Sequence, residues 1–209
     1  MSKKTKERKL SKAELKRKEE FEQLTEKLVA EGYRPNHITI GVVEANVLAL
    51  VIGLPFIIPL FVAFIAVGHT YDLEYWTMLA VFAIFIVLTV VHELIHGITW
   101  AHFAENGWKS ISFGIIMEYL TPYCSCNQPM KKHQIIIGSL MPTIVLGFIP
   151  GIAAVISGSE VLLAVAILMI FGGGGDFLVT YKLLRFKSEA KDVLFIDHPY
   201  ELGTAVFER

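Results

Sequence analysis

The sequence predicts an all-α membrane protein with four transmembrane helices, a polar N-terminal helix and a short β-hairpin-like cytoplasmic loop. Three observations predict it. Hydrophobic residues make up 54% of the 209-residue chain, and the mean hydropathy is +0.53. Four apolar segments of spanning length recur between residues 38 and 187. The basic clusters at Lys131-Lys132 and at Lys182, Arg185 and Lys187 fall on the same side of those segments as the N-terminal arm.

The near-neutral net charge of -1 hides an asymmetry, because ten of the 19 Lys and Arg residues lie before residue 28. A basic arm can signal nucleic acid; beside so hydrophobic a chain it reads as a topology signal that holds the arm in the cytoplasm, and no nucleic-acid partner is expected. The partner implied by composition is the lipid bilayer. No short apolar run with a small-residue cleavage site comes first, so the membrane helices are expected to direct insertion. Cys124 and Cys126, one residue apart in a cytoplasmic loop, read as reduced thiols rather than a disulfide, and as a weak metal signal.

In order, residues 1–36 form a charged cytoplasmic arm. Phe21, Leu24, Leu28 and Val29 recur in it at helical spacing, so a partly amphipathic helix is expected before Gly32, Pro35 and Asn36 break it. Residues 37–187 form the four-span domain. The first span, 38–67, is longer than a bilayer requires and carries Pro55 and Pro59, which predict a kink; Glu44 and Asn46 near its start read as interfacial. A short acidic outer loop follows. The second span starts at Tyr75 and Trp76, typical interface anchors, and runs inward to Phe103.

The connection from 105 to 132 mixes β-branched and aromatic residues around Gly114 and Pro122, which predicts a hairpin; one strand edge could pair with an extended substrate. The third span, 135–156, is interrupted by Pro142 and Pro150. The fourth, 161–184, ends in basic residues. Residues 188–209 read as a polar cytoplasmic tail, and both termini of this multi-pass cell-membrane protein are expected in the cytoplasm.

The second span carries His92-Glu93-Leu94-Ile95-His96 in its inner third. Histidines four apart project from one helical face and can grip one metal ion, while the adjacent glutamate can serve as a general base. Catalytic Zn²⁺ takes three protein ligands. The candidates for the third are His102, Glu105, Glu118, His133, Asp176 and His198. His102 follows His92 by ten residues, the metzincin offset, but Thr99 stands where the glycine turn belongs. An unbroken helix at ~100° per residue carries His102 off the shared face.

Asp176 is the acidic residue well inside the fourth span, after the run Gly172 to Gly175. His92 lies sixteen residues beyond Trp76, and Asp176 sixteen beyond Glu160. Both therefore sit about 24 Å from the outer edge at 1.5 Å per residue. Geometry ranks Asp176 first, with His102 the alternative.

The HExxH helix inside a membrane span, the later intramembrane aspartate and the terminal Asp197-His198-Pro199 segment together resemble the zincin peptidase family of small bacterial membrane proteins. These are distantly similar to the site-2 protease type of intramembrane zinc metalloprotease. The resemblance implies a zinc metallopeptidase acting on a peptide or membrane-protein substrate, with zinc held by His92, His96 and Asp176 and with Glu93 as the catalytic carboxylate. The chain departs from the site-2 proteases in having Gly175-Asp176-Phe177 where they carry Asp-Gly after a leucine, and in having no evident PDZ domain. The reading from another class is a non-catalytic metal-binding membrane scaffold or transporter component, which metal analysis of His92→Ala distinguishes.

Overall fold

The computed structural model describes residues 12–40, 42–116, 121–198 and 202–209. The first eleven residues of the basic arm, Glu118, Pro199 and the side chains of Glu44 and Asn46 lie outside the described residues.

Helix α1 (Lys12–Ala30) leads into strand β1 (Arg34–Ile40), and then into α2 (Val42–Ala66), which carries Pro55 and Pro59. The motif lies on α3 (Tyr75–Phe103), the longest helix. A hairpin of β2 (Ile111–Ile116) and β3 (Thr121–Cys126) follows, in register from Ile111 opposite Cys126 to Ile116 opposite Thr121. Next come α4 (Lys132–Thr143), a π-helical turn over Ile144–Phe148 and α5 (Ile149–Ser157). Pro142 ends the regular part of α4, since it offers no N–H to the ladder and the wider turn begins two residues on. Helices α6 (Glu160–Gly172) and α7 (Gly174–Arg185) meet at a bend of 47°.

Among the described residues, α3 and the continuous α4–α5 segment are long and apolar enough to cross a membrane. The bent α6–α7 pair makes a third such unit. The described stretch of α2, Val51–Ala66, is a shorter apolar helix. On α3 the side chains of Met78, Phe82, Ile86, Val87 and Val90 are exposed, an apolar surface far too continuous for water. Inside the bundle α3 packs on α4 and α6, and α2 packs on α5, α6 and α7. Phe64, Leu163, Met169 and Ile170 are buried at these crossings.

The expected hairpin is present. The all-helical expectation is otherwise too simple, because β1 and the segment read as a polar tail form one antiparallel sheet. Strands β4 (Val193–Asp197) and β5 (Leu202–Glu208) join β1 in the order β1-β5-β4, with Arg34 opposite Glu208 and Ile40 opposite Leu202. The apolar helix expected from Ile38 therefore begins after a strand, at α2.

Side-chain alternation explains the sheet. Phe195 and Val206 face the bundle and pack with Trp100, Cys126, Met130 and Leu183. Ile196, Ala205 and Phe207 face the other way and pack under Phe21, Leu24 and Leu28 of α1. Met130 and Phe195 exchange backbone hydrogen bonds of 2.8 and 2.9 Å, which ties the sheet to the start of α4. Gly203 sits at a φ of 133°, and a Cβ there would stand 2.1 Å from the carbonyl oxygen of Ile38, so only glycine fits.

The sheet is thus clamped between α1 and the inner end of the bundle. Phe195 is fully enclosed at that junction. Phe195→Ala is expected to destabilise it by about 3–5 kcal/mol. Limited proteolysis of the purified chain should then cut first within α1 and the C-terminal strands, with the bundle fragment left intact.

Candidate metal centre

Helix α3 presents His92 and His96 on one face, and both are buried, at 7% and 4% exposure. Their rings stand 4.8 Å apart. Asp176 reaches them from the first turn of α7, with Oδ2 3.1 Å from His92 Nε2 and Oδ1 3.4 Å from His96 Nε2. The helix N-terminus beneath it favours a carboxylate there.

The close approach depends on the glycine run. Gly173, between α6 and α7, faces Thr143 of α4, and a Cβ at Gly173 would lie 2.0 Å from the Thr143 hydroxyl oxygen. A larger residue would push α7 and its aspartate away. The N-terminal ends of α3 and α6 are tied together as well, since the Asp72 N–H donates to the Glu160 carboxylate at 2.6 Å. Equal counts inward along the two helices therefore end at the same depth.

His96 Nδ1 lies 2.8 Å from the carbonyl oxygen of Gly138 on α4. A carbonyl can only accept, so Nδ1 carries the proton and Nε2 presents its lone pair to the cluster. This is the carbonyl-backed histidine found behind metal ligands.

The donor set fits zinc. One ligand atom from each of His92, His96 and Asp176 lies within 4.8 Å of the others. Two imidazoles and one carboxylate leave a fourth position free, the arrangement of catalytic rather than structural zinc.

Glu93, next to His92, is half-buried and lies beside the backbone amide of Cys124 on β3. The hairpin therefore lies directly over the motif. Gly97, one turn further on, lies against Phe113 of β2, where a Cβ would stand 2.5 Å from the ring.

The other candidate ligands are not in the cluster. His102 is exposed with its ring against Phe103, and Glu105 and His133 are exposed too. His198 is buried, but it packs against Phe21 and His37 beneath α1. Cys124 and Cys126 are both buried free thiols. Burial and the neighbouring Glu93 push Cys124 upward, and burial pushes Cys126 up to about 11, so both stay protonated and poorly nucleophilic.

Asp197 is the residue that motif reasoning missed as part of these surroundings. It ends β4 beside a small cavity that Arg17, Ser125 and Asn127 also line. Arg17 donates to the Ser125 hydroxyl at 2.9 Å and stacks over Tyr123 at 4.2 Å. Burial pushes the Asp197 carboxyl up to about 7, an effect that the Arg17 and His96 charges partly offset and Asp176 reinforces. Its signal in the sequence was the Asp197-His198-Pro199 segment, which carried the family resemblance without a place near the metal ligands.

Two outcomes are expected. Asp176→Ala should lose stoichiometric zinc, as should His92→Ala, while His102→Ala should keep it; elemental analysis of the detergent-purified proteins reads this directly. Asp197 binds more proton in the folded than in the unfolded chain between about pH 4 and 7, so its ionisation costs stability as pH rises through that window. Asp197→Asn should therefore gain thermal stability relative to the wild type at pH 8, with the gain shrinking at pH 5.

Comparison with known proteins bears on the same region. No curated protein and no solved structure gives a significant match. A family model does match, over residues 85–191, which include the inner half of α3, the hairpin and all of α4 to α7. With the model covering just over half of the chain, the protein belongs to the family described as putative zincin peptidases.

Proposed function

We propose that this chain is a membrane-embedded zinc metallopeptidase that hydrolyses peptide bonds near the cytoplasmic side of the cell membrane. The observation that carries the reading is the meeting of His92, His96 and Asp176 with Glu93 alongside, within a matched zincin peptidase region. In this reading α2, α3, α4–α5 and α6–α7 are four spans, and both termini lie in the cytoplasm with the basic clusters. The distant likeness of the motif residues to site-2 proteases adds the expectation of intramembrane proteolysis.

His92, His96 and Asp176 would hold the ion. The chemistry such an ion supplies is Lewis acidity, which makes water nucleophilic near neutral pH and polarises a carbonyl. Glu93 takes a proton from the attacking water and passes it to the nitrogen of the departing amine. The Cys124 backbone amide lies beside the Glu93 carboxylate. Gly138 holds the proton of His96 on Nδ1, so that imidazole is not available as the base.

Substrate placement follows from the hairpin. The Asn127 N–H bonds to Ser110 on the β2 side, whereas the Cys124 N–H turns the other way, toward Glu93. The outer edge of β3 thus runs beside the catalytic carboxylate. An extended peptide adding to that edge would carry its backbone past the cluster. Peptide or membrane-protein segments that unwind locally are the substrates such an edge accepts.

Glu93→Gln is expected to retain zinc and to lose 10²-fold or more of its cleavage rate, the size of effect usual for a general base. Comparing membrane proteomes of cells carrying wild type or Glu93→Gln would reveal the substrates as proteins that accumulate uncut. Full activity in Glu93→Gln would sink the reading, and so would cleavage indifferent to a zinc chelator.

A further inference from the structure

His96 touches two groups that the motif does not contain, and a third backs one of them. The first is the Gly138 carbonyl, 2.8 Å from Nδ1. In a regular helix that carbonyl would accept the N–H four residues on, but residue 142 is proline and has none. Pro142 therefore frees the Gly138 oxygen. The histidine of another helix takes its place in the ladder.

The second group is Trp100, one turn beyond His96 on α3, with 6% exposure. Its ring lies parallel to the imidazole, centroids 4.9 Å apart and planes 12° apart. An imidazole bound to a cation carries positive charge, and an indole face attracts it. The third is the α-carbon of Gly138, against which the indole edge rests. A Cβ there would stand 1.9 Å from Trp100 Nε1, so glycine is what admits the ring. The indole N–H is buried without a hydrogen-bond partner, a cost that positions the ring for its face and not for its polar edge.

We infer that Pro142, Gly138 and Trp100 are positioning residues that fix the tautomer and plane of His96 for metal binding, Pro142 by releasing a backbone acceptor. The inference rests on the zinc reading above and adds a role for a proline that otherwise looks like a simple helix interruption. It also assigns the spacing Gly138-x-x-x-Pro142, with Trp100, as the part of this site that lies outside the ligands.

The test is zinc affinity by chelator competition on the full chain in detergent, beside thermal unfolding. Pro142→Ala restores the N–H that competes for Gly138, while helix propensity by itself favours alanine there. A weakening of zinc binding by about 10-fold or more without loss of thermal stability is expected, a combination that a merely structural role cannot give. Trp100→Leu should weaken zinc similarly, and Trp100→Phe should restore most of the affinity because it keeps a ring face.

With Trp76 and Trp108 both changed to Phe, cobalt loading should quench the emission of Trp100, a readout that needs no change at Trp100 itself. Wild-type zinc affinity in Pro142→Ala overturns the role of the proline. Unquenched Trp100 emission, or wild-type affinity in a folded Trp100→Leu, overturns the stack. A wild-type chain that binds no zinc fails at an earlier point, and removes the functional reading together with this one.

Discussion

The structure depends on one close approach, that of the first turn of α7 to the buried face of α3. A carboxylate held 3.1 and 3.4 Å from two imidazoles inside an apolar bundle needs a positive partner to balance its charge. Much of the surrounding sequence can be understood as making that contact geometrically possible. Gly173 removes the side chain that would hold α7 off Thr143, and the bend between α6 and α7 places Asp176 at a helix start. The hairpin covers the neighbouring glutamate with a backbone amide.

Part of this was legible in the sequence. Counting residues inward from Trp76 and from Glu160 gave one depth for His92 and Asp176, and the count succeeds because the two N-terminal ends are tied together by Asp72 and Glu160. The hairpin was legible from β-branched and aromatic residues around Gly114 and Pro122. The offset that favoured His102 gave way to rotation, which leaves that ring exposed at the helix end.

The rest was hidden because it is decided by partners far away in the chain. Leu202 to Glu208 reads as part of a polar tail until its partner β1, more than 150 residues earlier, is taken into account, and Val193 to Asp197 then adds to its other edge. The alternation that puts Phe195 on the bundle and Ile196 on α1 was present in the residues, yet short runs of this kind do not say which surfaces they cover. The released carbonyl at Gly138 is the opposite case: its cause, a proline four residues on, is local, and only its recipient is distant.

The sheet between the two ends of the chain couples assembly steps that would otherwise be independent. Among the described residues its central strand, β5, comes after every apolar helix, whereas its edge partner β1 comes before all of them. Pairing of this kind has a high entropic cost until the intervening helices are in place. The cap beside the hairpin can close only when all the apolar helices have found their positions, so a bundle with one helix misplaced is left without this cover and with the face of Trp100, Met130 and Leu183 uncovered. Closure of the termini thereby reports on the state of the bundle, a form of quality control written into strand order.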